Sequence, residues 1–448
     1  MATAHFRPKT FIGVLARLFC LALSMQAVKG AEVASQGRRL IISEAITDEQ
    51  LREAISGRND LECIIFHQAS GLTDLGLKHL SSLPSLRELR LHHRGETPDS
   101  RFTREGFGHL SSARRLEILG VSGVSADFFL EAISGNHALK NVSLDDVFDF
   151  SETGTRHLPS LRNLTTLEIV GAVDGTVLTQ GMFMDFGKCQ KLEEIFLNIP
   201  TPREFDVDKA LAHLAAIPLT SLTFLETPFT DAAFDRLLAQ WPEITLLSFD
   251  HSSLSDESLA NFPKMGHLDE LWLMTPSDNN DKLAAYLAES AALRVLSIGE
   301  RLSDGGLSHL AGMAGLKTLT IYSDRVTDAG LLDYSGKGPG IHRLVLARAA
   351  ITDAGLARMD SLNHLESFAA AATASRITDI GLHSLSKAAS LAEVLLPRVK
   401  NATIRGLEAL ASAPNMKKIS IGKNPEVTEG EINELRRDFP SLSIWFID

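Results

Sequence analysis

"ITDAGL" occupies residues 351–356, with "VTDAGL" at 326–331 and "ITDIGL" at 377–382. The phrase decays along the chain as "LSDGGL" (302–307), "LSDESL" (254–259), "FTDAAF" (229–234) and "LTDLGL" (72–77), with "ITDEQL" at 46–51 and "VTEGEI" at 427–432. A second phrase runs ahead of it: "LKTLTI" (316–321), "IHRLVL" (341–346), "LRVLSI" (293–298), "LDELWL" (268–273), "LRELRL" (86–91). Its pattern is L-x-x-L-x-L, and successive copies start 23 to 30 residues apart. A period in that range marks a solenoid of strand–helix repeats.

Residues 341–365 show why these letters build a repeat. Ile341, Leu344 and Leu346 supply the inward side chains of a strand, with Val345 between the last two. Thr352 is placed to cap a helix, its hydroxyl accepting from a first-turn N–H. Asp353 follows, and its charge suits a helix N-terminus by about 0.3–1 kcal/mol. Leu356, Met359 and Leu362 recur every third residue and so share one helical face. Gly355 costs about 1 kcal/mol in a helix. Its recurrence as Gly76, Gly306, Gly330, Gly381 and Gly406 points to a close approach between neighbouring backbones. Capping explains every Thr–Asp copy, so no catalytic pair is read there.

L-x-x-L-x-L followed by [ILV]-[ST]-D-x-G-L resembles the leucine-rich repeat. The T-D-x-G-L phrase is similar to the cysteine-containing-like subclass of F-box leucine-rich proteins and bacterial secreted repeat proteins. The resemblance covers residues 37–448. It implies an α/β leucine-rich repeat solenoid, a horseshoe with a parallel inner sheet and outer helices, of about 16 repeats. One repeat cannot bury both of its sides, so stability must come from stacking. At roughly 4.8 Å per strand the inner sheet would run about 77 Å along its contour. The repeat therefore predicts one elongated domain over 31–448, where length alone suggests about three. Residues 37–94 and 219–448 keep the period; 95–215 are irregular and carry insertions such as "HHRGETPDSRFTREG" (92–106). Such insertions map to loops on one edge, where binding residues concentrate.

Residues 1–30 hold Arg7, Lys9, Arg17 and Lys29, no acid, and the apolar run "LFCLALSMQAV". This reads as a signal peptide cleaved after Gly30 rather than as an F-box. Its removal takes the formal charge from −12 to −16, which argues against nucleic acid as a partner. Cys63 and Cys189 lie several repeats apart, too far for a disulfide, and read as buried small hydrophobes. Disulfide-rich caps, which the resemblance associates with animal and plant extracellular members, are absent. That favours a bacterial protein that is secreted or periplasmic.

No H-E-x-x-H or G-x-S-x-G is present, and "SGKGPG" (335–340) lacks the G-K-[ST] of a phosphate loop. His92-His93 and Asp250-His251 lack a third convergent ligand. The expectation is therefore no enzyme, no metal and no cofactor. The x positions of L-x-L point away from the core, onto the concave face. There Phe196, Trp272 and Tyr322 stand with Met274, Glu193, Asp269 and Glu270 beside them. Arg343 belongs to a basic group with Arg348, Arg398, Lys417 and Lys418, and Arg87, Arg90, His92 and His93 form another. Exposed aromatics beside charges are typical binding anchors. The leading expectation is an exported scaffold that binds a protein partner through Phe196, Trp272, Met274, Tyr322, Glu193, Asp269, Glu270 and Arg343. Two alternatives stand beside it. One is a substrate-recognition protein of ubiquitin-ligase type, or a host-directed effector. The other is a carbohydrate-binding protein or enzyme with a concave site.

Overall fold

In the computed structural model each L-x-L becomes a strand of four to eight residues. The structure describes residues 33–447 except 93–101, 173–174, 251–252, 274–277, 279, 339, 372–375, 398, 400 and 423–425. Two units are distinguished, divided between Trp241 and Pro242.

In the first unit, β1 (Val33–Gln36) runs antiparallel to β2 (Arg39–Ile42). A parallel ladder then continues through β3 (Cys63–Phe66), β4 (Glu88–Leu91), β5 (Ile118–Ser122), β6 (Asn141–Val147), β7 (Thr166–Ala172), β8 (Glu194–Asn198) and β9 (Ser221–Pro228). The second unit is a parallel ladder of β10 (Leu246–Asp250), β11 (Glu270–Leu273), β12 (Val295–Ile298), β13 (Thr318–Tyr322), β14 (Arg343–Ala347), β15 (Ser367–Ala370), β16 (Glu393–Leu396), β17 (Lys418–Gly422) and β18 (Ser443–Ile447). The irregular stretch 95–215 keeps the same strand register wherever it is described. No described helix is long and apolar enough to cross a membrane.

The register stacks like on like. Leu296, Leu319, Leu344, Phe368 and Val394 occupy one buried row, each in register with the next and none more than 1% exposed. From the helical side Leu307, Leu310 and Leu331 close over this layer, all fully buried. Period-two strands meeting three-spaced helix positions thus account for the core.

The T-D-x-G phrase proves to be a connector between repeats. Thr378 donates its N–H to Asp353 Oδ1 at 2.8 Å and its hydroxyl to Oδ2 at 2.6 Å, while Gly381 N–H donates to Oδ1 at 2.9 Å. The same link joins Asp281 to Ser303, Asp304 to Thr327, Asp328 to Thr352 and Asp379 to Thr403. In the first unit it joins Asp48 to Thr73, Asp74 to Thr103 and Asp127 to Ser151. The glycine leaves room for it: a Cβ on Gly381 would collide with Asp353 Oδ1, and one on Gly76 would lie 2.5 Å from Asp48 Oδ1. The expected close approach is therefore to the preceding repeat's aspartate: its carboxylate oxygen lies nearest, and at Gly355 and Gly406 its backbone Cα is also only 3.2 and 3.1 Å from where a Cβ would sit. Threonine also caps as expected, Thr378 accepting from Ile380 N–H and Thr403 from Arg405 N–H. Where the preceding repeat carries Ile404 in the aspartate's place, Thr428 instead closes a capping box with its own Glu431.

One helix start differs from expectation. After "ITDAGL" the chain forms turns and a 3-10 helix, Met359–Ser361. A 3-10 helix has three residues per turn, so side chains spaced by three stay on one face. Met359 and Leu362 are accordingly fully buried. Two further 3-10 segments, Leu158–Ser160 and Phe262–Lys264, each contain a proline that halts the short helix before it.

Candidate functional site

The open face of the sheet, away from the helices, is assembled from the x positions. In the second unit one row runs Ser248, Trp272, Ser297, Thr320, Val345, Ala369, Leu395, Ser420, Trp445, each in register with the next. Trp272 is half-buried, and its indole N–H donates to Glu270 Oε2 at 3.3 Å. Both register neighbours are serines, so the ring rises above the residues beside it. Between the two tryptophans no residue of the row is larger than leucine, and none is more than 7% exposed. Trp445 stands 40% exposed. It was missed in the sequence although "SIWFI" carries the signal: Trp445 follows the inward Ile444, so alternation turns it outward.

A second cluster lies at the strand ends. The Arg348 guanidinium sits 5.4 Å above the Tyr322 ring centre and reaches Glu300 at 2.7 Å. Arg348 has φ +72°, the left-handed region that side-chain-bearing residues seldom adopt. Tyr322 is thus an oriented platform rather than a loose aromatic.

The remaining expected site residues separate. Asp269 pairs with Arg294 at 3.0 Å, and Arg343 is half-buried between Thr318 and Ser367 in register. Met274 and Arg398 lie outside the described residues, as do His93 and His251. Glu193 and Phe196 belong to the first unit. Glu193 is exposed, but Phe196 keeps only 8% of its surface. Its x position does face away from the core, but neighbouring side chains cover it, so it offers little area as an anchor.

The basic group expected near His92 is neutralised. Arg87 pairs with Glu117 at 3.2 Å, Arg90 with Glu88 at 2.7 Å, and His92 Nδ1 lies 3.7 Å from Asp145 Oδ2. Cys189 is buried as expected. Cys63 is half-buried and donates to Glu88 Oε2 at 3.3 Å. Burial, then the Glu88 charge and that hydrogen bond, push its thiol up to about 11, so it remains protonated near neutrality.

No family model and no curated protein matches the chain. Among solved structures, the yeast Rad7–Elc1 complex aligns with 16% identity and a TM-score of 0.47, over 89% of this chain and 83% of that one. The TLR13–ssRNA13 complex aligns with 14% identity and a TM-score of 0.47, over 92% of this chain and 62% of that one. A leucine-rich repeat protein of Leptospira interrogans aligns with 14% identity and a TM-score of 0.37, over 95% of this chain and 97% of that one. With L-x-x-L-x-L strands in parallel register, helical segments between successive parallel strands, and aspartate links between repeats, each unit has the α/β leucine-rich repeat fold.

Proposed function

We propose that this chain is an exported scaffold that binds a protein partner on the open face of its second unit, with Trp272 as the main anchor. The carrying observation is the Trp272 indole, tied to Glu270 at its N–H and standing between two serines. A ring held in one orientation loses little entropy when a partner covers it. Tyr322, pinned under Arg348, and exposed Trp445 provide further aromatic contacts on the same face. Interface energy concentrates in a few such aromatic residues. The formal charge of −12 disfavours a polyphosphate partner and supports a protein. Export rests on the basic and apolar character of residues 1–30. N-terminal sequencing of the native protein is expected to begin at Ala31; an intact Met1 would refute the cleaved leader and weaken export.

Trp272→Ala is expected to weaken partner binding at least about thirtyfold, because truncating a good anchor costs 2 kcal/mol or more. The melting temperature should hardly change, since the ring is outside the core. Titration of wild type and variant against the captured partner, beside thermal melts, tests both statements. Equal affinities would remove Trp272 from the interface.

A further inference from the structure

The first unit carries titratable side chains on its own open face, brought together by small residues in β5. Gly120 lies in register between Arg90 and Ser143, and a Cβ there would sit 3.5 Å from Arg90 Cγ and 3.8 Å from its Nη1. The Arg90 side chain therefore lies along the glycine. Ser122 is in register with Asp145, which leaves a low strand between β4 and β6. Across it His92, just beyond β4, approaches to 3.7 Å between Nδ1 and the Asp145 Oδ2. On the other side β7 contributes Glu168, in register with Ser143 and so diagonal to Asp145. Immediately after Asp145 the strand kinks: Asp146 has φ +50° opposite Gly171 at φ +74°. A Cβ on Gly171 would lie 2.8 Å from Asp146 Oδ1, so this glycine is required both by its backbone and by its neighbour.

We propose that Asp145, set between His92 and Glu168, is a proton-operated switch on the open face of the first unit, changing the charge that this face presents to a partner. The consequence for a partner rests on the scaffold function proposed above; the switch itself does not. Among the described residues, the charged groups around Asp145 are Glu88, Arg90 and His92 from β4 and its end, Asp146 from β6 and Glu168 from β7. The β5 run Ile118–Ser122 contributes none. Arg90 is already matched by Glu88 at 2.7 Å. Burial, then the like charges of Glu168 and Asp146, push the Asp145 carboxyl up to about 7, against a smaller opposing pull from Arg90. Protonated, the Asp145 carboxyl carries no charge; ionised, it adds one negative charge beside Glu168 and Asp146. A change of one charge on a docking face across near-neutral pH alters association, because like charges placed together suppress binding and opposite charges speed it.

Linkage provides a readout that needs no partner. The folded Asp145 carboxyl titrates near 7, above its unfolded value near 3.8. The folded state therefore holds the proton more tightly. The stabilisation is fully present below the unfolded value and is lost as pH rises through about 7. Asp145→Asn keeps the shape and removes the titration. Its melting temperature should rise relative to wild type between pH 4 and pH 8 and level off above. The direct test is carbon-13 NMR of the full chain labelled at aspartate carboxyls. One resonance should titrate near pH 7 and vanish in Asp145→Asn. In Glu168→Gln its midpoint should fall, because a like charge is gone. The proposal is overturned if every aspartate carboxyl titrates near or below 4, or if the Asp145→Asn melting offset does not vary with pH. Both measurements use the free protein, so either outcome stands apart from whether Trp272 anchors a partner.

Discussion

Replacing Leu344 by alanine is expected to lower stability by about 2–5 kcal/mol. Leu344 is fully buried and lies in register between Leu319 and Phe368, themselves fully buried. Removing three carbons forfeits their transfer from water and leaves a cavity. The cavity cannot close along the stack, because ladder hydrogen bonds hold β13, β14 and β15 about 4.8 Å apart. It cannot close from the helical side without pulling Leu356 and Met359 off other contacts. Urea unfolding of wild type and variant measures the loss. Hydrogen exchange should place it in β13–β15, since each repeat draws its stability from its immediate neighbours. A loss below about 1 kcal/mol would show that the position is not walled in as the register implies.

The second large effect concerns Asp353. As a charge near a helix start it would contribute about 0.3–1 kcal/mol. The structure instead has it accept from Thr378 N–H, Thr378 hydroxyl and Gly381 N–H. Hydrogen bonds to a charged acceptor contribute more than neutral ones, and truncation leaves donors at a part-buried junction without a partner. Asp353→Ala is therefore expected to cost about 2–4 kcal/mol. Gly381→Ala provides the complement. In an open helix that change gains about 1 kcal/mol. Here the new methyl would collide with Asp353 Oδ1 and lie 2.9 Å from Ile377 Cγ2, so the change should destabilise. In the Asp353→Ala background its cost should shrink, because the carboxylate is gone. A double-mutant cycle in denaturant reads this coupling. Strict additivity would mean that the glycine is present for another reason.

Much of the fold was legible because its signals are local. Leu344, Val345 and Leu346 announce a strand by alternation, Thr378 announces a helix start by its hydroxyl, and the 23–30-residue step announces stacking. Leu356 and Met359 were correctly placed in the core even where a 3-10 turn replaced the α-helix, because spacing by three serves either geometry. Trp272 was legible as an outward side chain for the same reason. The rest depended on what lies one repeat away. Asp353 was assigned to its own helix because its true partner, Thr378, is 25 residues distant. Phe196 pointed the right way yet became covered, and Cys63 found Glu88 on the next strand. Asp145 meets His92 only after two strands with small residues between them fall into register. The sequence by itself determined the repeat, its strands and its inward faces, since periodicity is a property of consecutive residues. Only the tertiary structure decided what each polar side chain does, because burial, charge and hydrogen bonding on this sheet come from neighbours that stacking, not sequence proximity, supplies.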